Sequence, residues 1–364
     1  MNPALRTEMT HSLSLLQKLI RTPSYSRAEE GSAELLMDTL RYRGLRPHRL
    51  YNNVWVPSQH WREDRPTLLL NSHHDTVGVV AGWQRDPHGA DMTAGQLFGL
   101  GSNDAGASLV SLLACFLHFE SRGHCPFNLV FAASAEEEVS GKQGMEALRD
   151  ELPPVDLAIV GEPTQLQMAI AEKGLLVIDG TAYGSAGHAA RNEGENALYI
   201  ALEDIQTLRT YCFAKTSPFL GPVQLTVTQI NAGSRHNVVP DRCAFVIDVR
   251  STEQYSNEEI FEMLQQLTRS DLRARSFRLR PSGLRSDHPI VRAGRDLGLR
   301  SFGSPTMSDQ ALMPFPSLKI GPGDSARSHT ADEYICISEI KEGIELYERL
   351  ITSAGRYDWK STRA

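Results

Sequence analysis

Thr67-Leu68-Leu69-Leu70-Asn71-Ser72-His73-His74-Asp75 carries an apolar run straight into a His-x-Asp element. A strand that ends on chemistry-bearing side chains is the pattern of α/β enzymes, whose ligands sit beyond the carboxyl ends of the strands. The same hand-over occurs three more times. Phe127 to Ala133 ends at Ser134 and the triplet Glu136-Glu137-Glu138, and Asp156 to Val160 ends at Gly161-Glu162-Pro163-Thr164. Leu318-Lys319-Ile320 leads through Gly321-Pro322-Gly323 to His329-Thr330-Ala331-Asp332-Glu333. If these four strand ends share one edge of a sheet, their side chains meet in one cleft, with Asp104 supplied from the glycine-rich stretch 99–106. Zinc binds imidazole nitrogen and carboxylate oxygen, and a pair of zinc ions needs one bridging carboxylate plus a free one to handle protons. All of these groups are present.

Each element also has a plainer reading. A single His after a strand is commonly a hydrogen-bonded structural residue. Asp75 shifts that balance, because a carboxylate two residues on can accept the second imidazole N–H and set the tautomer. The Glu triplet would ordinarily read as a solvated helix start, where carboxylates meet the positive end of the dipole, but its position straight after an apolar strand argues against mere solvation. Asp104 fits an N-cap for the apolar helix Ala107 to Phe119, Glu162 a turn, and His329 an exposed loop. Only their joint occurrence points to metal.

These motifs resemble the zinc-dependent aminoacylase and carboxypeptidase family that includes acetylornithine deacetylase and succinyl-diaminopimelate desuccinylase. The resemblance rests on Ser72 to Val77, Gly99 to Gly106, Ser134 to Val139, Gly161 to Thr164, Gly187-His188-Ala189-Ala190 and His329 to Glu333. They occur in family order along nearly the whole chain. The resemblance implies His73, Asp104 and Glu162 around one zinc and Glu138, Asp104 and His329 around the other, with Asp104 as the bridge. Glu137 is then the general base, Asp75 the partner that orients His73, and Co²⁺ or Mn²⁺ possible substitutes. One position departs from the family pattern: Glu136 stands where Asp is common, which leaves it as the alternative base. The resemblance further implies a cis peptide between Asp104 and Ala105. It also implies that His188 polarises the scissile carbonyl, reaching the cleft of a partner subunit. Asn237 and Arg250 match family positions that touch substrate, and Lys173 is a further cation for an anionic end. Arg250 has an alternative as the structural partner of the neighbouring Asp248.

The periodicity places helices over Leu13 to Ile20 and Ala28 to Arg43. From Leu175 the order becomes strand, helix, strand, strand, helix, strand: Leu175 to Tyr183, Asn196 to Tyr211, Val223 to Ile230, Cys243 to Arg250, Asn257 to Thr268 and Arg275 to Leu279. That is the order of a ferredoxin-like unit. The expected architecture is an α/β, di-zinc aminopeptidase-like catalytic domain with a mixed sheet flanked by helices (1–174 and 284–364), interrupted by an inserted ferredoxin-like α+β dimerisation domain (175–283). The catalytic part resumes with Pro289 to Leu299, continues through His329 and closes with a helix at Ser338 to Ser353, followed by a polar, frayed tail from Gly355.

At 364 residues and 41% hydrophobic content, the chain can bury two cores. A net charge of -7 gives no support for nucleic-acid binding. The 5 cysteines show no Cys-x-x-Cys pair, so neither a disulfide framework nor a thiolate zinc site is expected. No stretch approaches membrane-spanning length and no secretory leader is visible, so the expected location is the cytoplasm.

The reaction expected is hydrolysis of an N-acyl amino acid, with N-acetyl- or N-succinyl-ornithine or -citrulline as substrates, as in arginine biosynthesis. A di- or tripeptidase or carboxypeptidase would use the same centre. A metal-stabilised binding protein would not need the free carboxylate of Glu137.

Overall fold

The computed structural model describes residues 3–191 and 193–359. In chain order its principal elements begin with helices α1 (Pro3–Arg21) and α2 (Glu30–Tyr42) and strands β1 (His48–Leu50), β2 (Asn53–Pro57) and β3 (Thr67–His73). Next come α3 (Ala107–Arg122), β4 (Asn128–Ser134), β5 (Leu157–Val160) and β6 (Met168–Glu172). The interrupting segment supplies β7 (Gly174–Tyr183), α4 (Ala197–Thr210), β8 (Gln224–Ala232), β9 (Arg242–Ser251), α5 (Asn257–Leu267) and β10 (Asp271–Ala274). The chain then gives α6 (Pro289–Asp296), β11 (Ser317–Lys319) and α7 (Ile337–Ala354). Two compact units result: residues 1–170, 284–302 and 308–364, and residues 171–283 and 303–307.

In the first unit the strand order is β1-β2-β4-β3-β5-β11-β6. β4, β3, β5 and β11 are mutually parallel, while β2 and β6 join antiparallel, so the sheet is mixed. The parallel core explains the unbroken apolar runs. Leu68, Leu70, Phe131 and Ile159 share one hydrophobic cluster with α3 and α7, while Leu69, Val130 and Ala158 alternate to the other face and are equally buried. Because the four strands run the same way, their carboxyl ends lie along one edge. That edge carries His73, the Glu triplet, Glu162 and the segment leading to His329.

Helix α3 is buried from Ala107 to Phe119 and ends where Gly123 takes a positive φ of 63°, the usual helix stop. Helix α1 is longer than the apolar spacing from Leu13 predicts. Leu5, Glu8 and Ser12 continue its buried face at helical intervals, but two of the three are polar and hide the period. The frayed tail needs correction as well. Trp359 is buried, with its ring edge-on to Phe127 and to His288; residues 360–364 lie outside the described residues.

The second unit has sheet order β8-β9-β7-β10, all antiparallel, and α4 and α5 bury its core with Ile178, Phe245, Ile247 and Leu264. This is the ferredoxin-like order. Its last strand is Asp271–Ala274, not Arg275 to Leu279. Asp-Leu-Arg-Ala buries only Leu272, too little to print an alternating pattern, and Arg275 instead turns its guanidinium onto Asp179.

Candidate metal centre

His73 is the last residue of β3 and is 1% exposed. Its Nδ1 lies 2.9 Å from the carbonyl oxygen of Asp75 and 3.5 Å from Asp75 Oδ1, so the proton is held on that side. Nε2 is left facing Asp104 Oδ1 at 3.3 Å and Glu162 Oε1 at 3.7 Å. The Asp75 carboxylate also accepts from Ser26 Oγ (2.7 Å) and from the backbone N–H groups of Glu137 (3.0 Å) and Glu138 (3.2 Å). One buried acid thus orients the imidazole and the Glu loop together. His74 turns elsewhere, onto Ser32 Oγ and the Asn52 carbonyl.

Asp104 sits in an irregular turn before α3, with φ -116° and ψ 100°, and its peptide bond to Ala105 is cis. It does not cap the helix: the N-cap position is Gly106, with no side-chain bond. Its two oxygens diverge instead, Oδ1 toward His73 and Oδ2 toward His329 Nε2 at 3.7 Å. His329 Nε2 in turn lies 2.9 Å from Glu138 Oε2. Donor atoms of His73, Asp104 and Glu138 fall within 4.8 Å of one another, as do those of His73, Glu137 and Glu162.

The Glu triplet separates by backbone conformation. Glu136 adopts φ 56°, donates its N–H to Glu29 Oε1 and receives the N–H of Gln143 on its own carboxylate, 3.3 Å away. It is therefore tied to the loop behind the cleft. The Glu137 carboxylate faces the cluster and accepts no hydrogen bond among the described residues, while its backbone carbonyl takes the Ser140 N–H at 2.8 Å.

Crowded acids dominate the electrostatics. Burial pushes the Glu162 carboxyl up to about 8, with Asp104 and Glu138 adding repulsion against the pull of His73 and Lys319. Burial also lifts Glu137 well above the carboxylate range, opposed by His73 and reinforced by Glu162, Asp309 and Glu138. Burial works against a charged His73, but hydrogen bonds to Asp104 and Asp75 and the fields of Glu137 and Glu162 raise it well above normal. The bond to Glu138 raises His329 to about 9.

The remaining candidates lie in the second unit. His188 is exposed on a two-residue ladder, Gly187–His188 against Val238–Val239, and Asn237 immediately precedes the opposing strand. The Ala189 N–H donates to the Asn237 carbonyl (3.1 Å), so these two residues are neighbours. Arg250 makes two bonds to Asp248, 2.8 and 3.1 Å long. Lys173 is buried and donates to Gln224 Oε1 at 2.7 Å.

Two buried acids received no role from the sequence. Asp309 accepts from Asn71 and Ser134 beneath the strand ends, and burial holds it at about 6. Glu333 lies inside a motif already singled out, yet only its three-dimensional partners disclose its part. The sequence marks neither as buried, because both follow polar loop segments.

A family model described as peptidase family M20/M25/M40 matches residues 69–353. Among curated proteins, succinyl-diaminopimelate desuccinylase 2 of Ruegeria sp. is 24% identical over 373 residues, covering 93% of this chain and 94% of that protein. The succinyl-diaminopimelate desuccinylase of Cereibacter sphaeroides is 28% identical over 271 residues, covering 70% and 71%. Among solved structures, the aminopeptidase PepT of Bacillus cereus superposes with TM-score 0.76 at 17% identity, covering 95% of this chain and 98% of that one. The Bacillus subtilis YXEP protein, described as a dinuclear metal-binding peptidase, gives 0.72 at 13% identity with the same coverage.

Proposed function

Because the chain belongs to peptidase family M20/M25/M40, we propose that it is a two-metal amidohydrolase that cleaves the amide bond of an N-acyl amino acid to a carboxylate and a free amino acid. The observation that carries the two-metal reading is Asp104, whose separate oxygens face His73 and His329. His73, Asp104 and Glu162 are proposed to hold one ion, and Glu138, Asp104 and His329 the other. The donor set is imidazole and carboxylate, which suits zinc, with Co²⁺ or Mn²⁺ as substitutes. The repulsion among Glu137, Glu138, Glu162 and Asp104 also fits a site built for cations.

When bound, divalent ions supply Lewis acidity to the amide carbonyl and to water. The protein's own part is proton handling and positioning. Glu137, whose carboxylate faces the cluster with no hydrogen-bond donor on it among the described residues, takes the proton from the attacking water and returns it to the leaving nitrogen. Asp75 fixes the tautomer of His73 and the backbone of the Glu loop. His188 is assigned the developing oxyanion, while Asn237, Arg250 and Lys173 are assigned substrate contacts. Since Arg250 is engaged by Asp248, binding a substrate carboxylate requires it to share or exchange that partner.

The substrates proposed are N-acetyl- and N-succinyl-ornithine and -citrulline, which would place the enzyme in cytoplasmic arginine biosynthesis. The names of the relatives add N-succinyl-diaminopimelate to the comparison. A panel of these compounds with several dipeptides, assayed on zinc-loaded protein, tests the reading. Preferred turnover of dipeptides would replace it with a di- or tripeptidase. Metal binding with no turnover of any member would favour a binding protein.

We further propose a homodimer formed through the second unit. β8 is an edge strand with almost all its residues exposed, and Ile230 on it, with Tyr199 and Leu202 on α4, leaves apolar surface open.

A further inference from the structure

Glu333 is 2% exposed, and among the described residues no lysine or arginine forms an ion pair with it. Its carboxylate accepts three backbone N–H groups from a single turn: Gly101 on Oε2 at 3.1 Å, and Asn103 and Asp104 on Oε1 at 2.8 and 3.0 Å. A carboxylate so satisfied is a strong, directional clamp. The turn needs one. Gly101 has a positive φ of 75°, a Cβ there would meet Thr76 Cγ2 at 2.6 Å, and Asp104 and Ala105 depart from helical geometry. A turn of this kind leaves N–H groups that no helix or sheet satisfies.

A second tie runs in the opposite direction. The Asn103 side chain donates to the Asp324 carbonyl (3.0 Å) and to Ser328 Oγ (3.3 Å), and accepts the Asp324 N–H (3.1 Å). The segment 324–333 is thus bound to the 101–104 turn on both sides of His329, upstream by Asn103 and downstream by Glu333. Asp104 and His329 lie between these ties, with Oδ2 and Nε2 3.7 Å apart.

We propose that Glu333 is a positioning residue that presets Asp104 between the two halves of the metal centre, so that a carboxylate touching no metal governs the affinity for both ions. This rests on the two-metal reading above. The decisive variants are Glu333→Ala, which removes all three bonds, and Glu333→Gln, whose amide has only one acceptor oxygen. The measurements are Co²⁺ titration of the metal-free protein, followed by calorimetry and by the visible d–d band, and amide hydrogen exchange of Gly101, Asn103 and Asp104. Glu333→Ala is expected to weaken uptake of both ions at least tenfold, alter the d–d band, and speed exchange at the three amides while α3 keeps its protection. Glu333→Gln is expected to fall between it and wild type, and it decides the matter if the alanine variant does not fold. His329→Ala should weaken only one ion, which separates loss of a ligand from loss of the preset bridge. Wild-type affinity and spectrum in the Glu333 variants would overturn the proposal. If the wild-type protein itself took up no Co²⁺, the two-metal reading would fail instead, and the exchange data would still report on the clamp.

Discussion

Asp104 and Glu137 divide the work of the proposed centre in a way that single substitutions separate. Glu137→Gln keeps shape and removes the base, so turnover on the best substrate of the panel should fall roughly 10²- to 10⁴-fold. Metal content measured on the same sample should stay at the wild-type ratio. Substantial remaining turnover would end the assignment, and Glu136, tied back to Glu29 and Gln143, is poorly placed to inherit it. Asp104→Ala should do the reverse and empty both positions together, because one carboxylate serves two ions. Retention of one equivalent of zinc by elemental analysis would show that Asp104 does not bridge. At this scale the sequence named the chemistry but not the direction of each side chain. Glu136, Glu137 and Glu138 are identical letters, and only the positive φ at Glu136 sends one of them away from the cleft.

Among the elements, α3 and β4 are buried in the core that underlies the strand ends. Phe116 and Phe131 are fully buried with ring centroids 6.1 Å apart. Phe116→Ala should cost about 3–5 kcal/mol through lost burial and the cavity left behind, read as an earlier unfolding transition in urea. Helix α6 offers a pH-dependent test. His288 is its N-cap, accepting the Ile290 N–H on Nδ1, and its ring lies against Trp359. Burial lowers this imidazole from 6.5 to about 4, with only Asp287 acting against the shift. A lowered histidine pKa means that the unfolded chain takes up the proton first. The contribution of His288 is therefore whole above about pH 6.5 and is lost as pH falls toward 4. His288→Asn keeps a capping acceptor and cannot titrate, so its melting temperature should gain on wild type as pH drops from 7 through 5. A constant difference across that range would exclude the linkage. Element identity was legible wherever apolar spacing was clean, as in Thr67–His73 or Asn257–Leu267. It was obscured where a strand buries one residue, as at Leu272, or where a helix face is partly polar, as in α1 between Leu5 and Ser12.

For the whole molecule, the proposed dimer makes a prediction that neither unit makes alone. If His188 serves a partner's centre, mixing inactive Glu137→Gln with inactive His188→Ala chains should restore activity in hybrid dimers, each with one intact site. Sedimentation would establish the dimer, and a confirmed hybrid without activity would assign His188 to its own chain or to a structural role. The sequence alone determined that there are two cores, that the first is an interrupted α/β unit and that the second has ferredoxin-like order. It also determined that ligand-type residues follow the strands, because each of these is written in local spacing and in chain order. Tertiary structure decided what those patterns cannot encode. It made β4, β3, β5 and β11 parallel neighbours, so that residues up to 256 positions apart share one edge. It turned the two oxygens of Asp104 to different histidines and closed the carboxylate of Glu333 over a turn more than 200 residues earlier. The physical reason is that hydrogen bonds and charge contacts are satisfied by proximity in space, and chain order carries no record of which distant backbone N–H a buried acid will find.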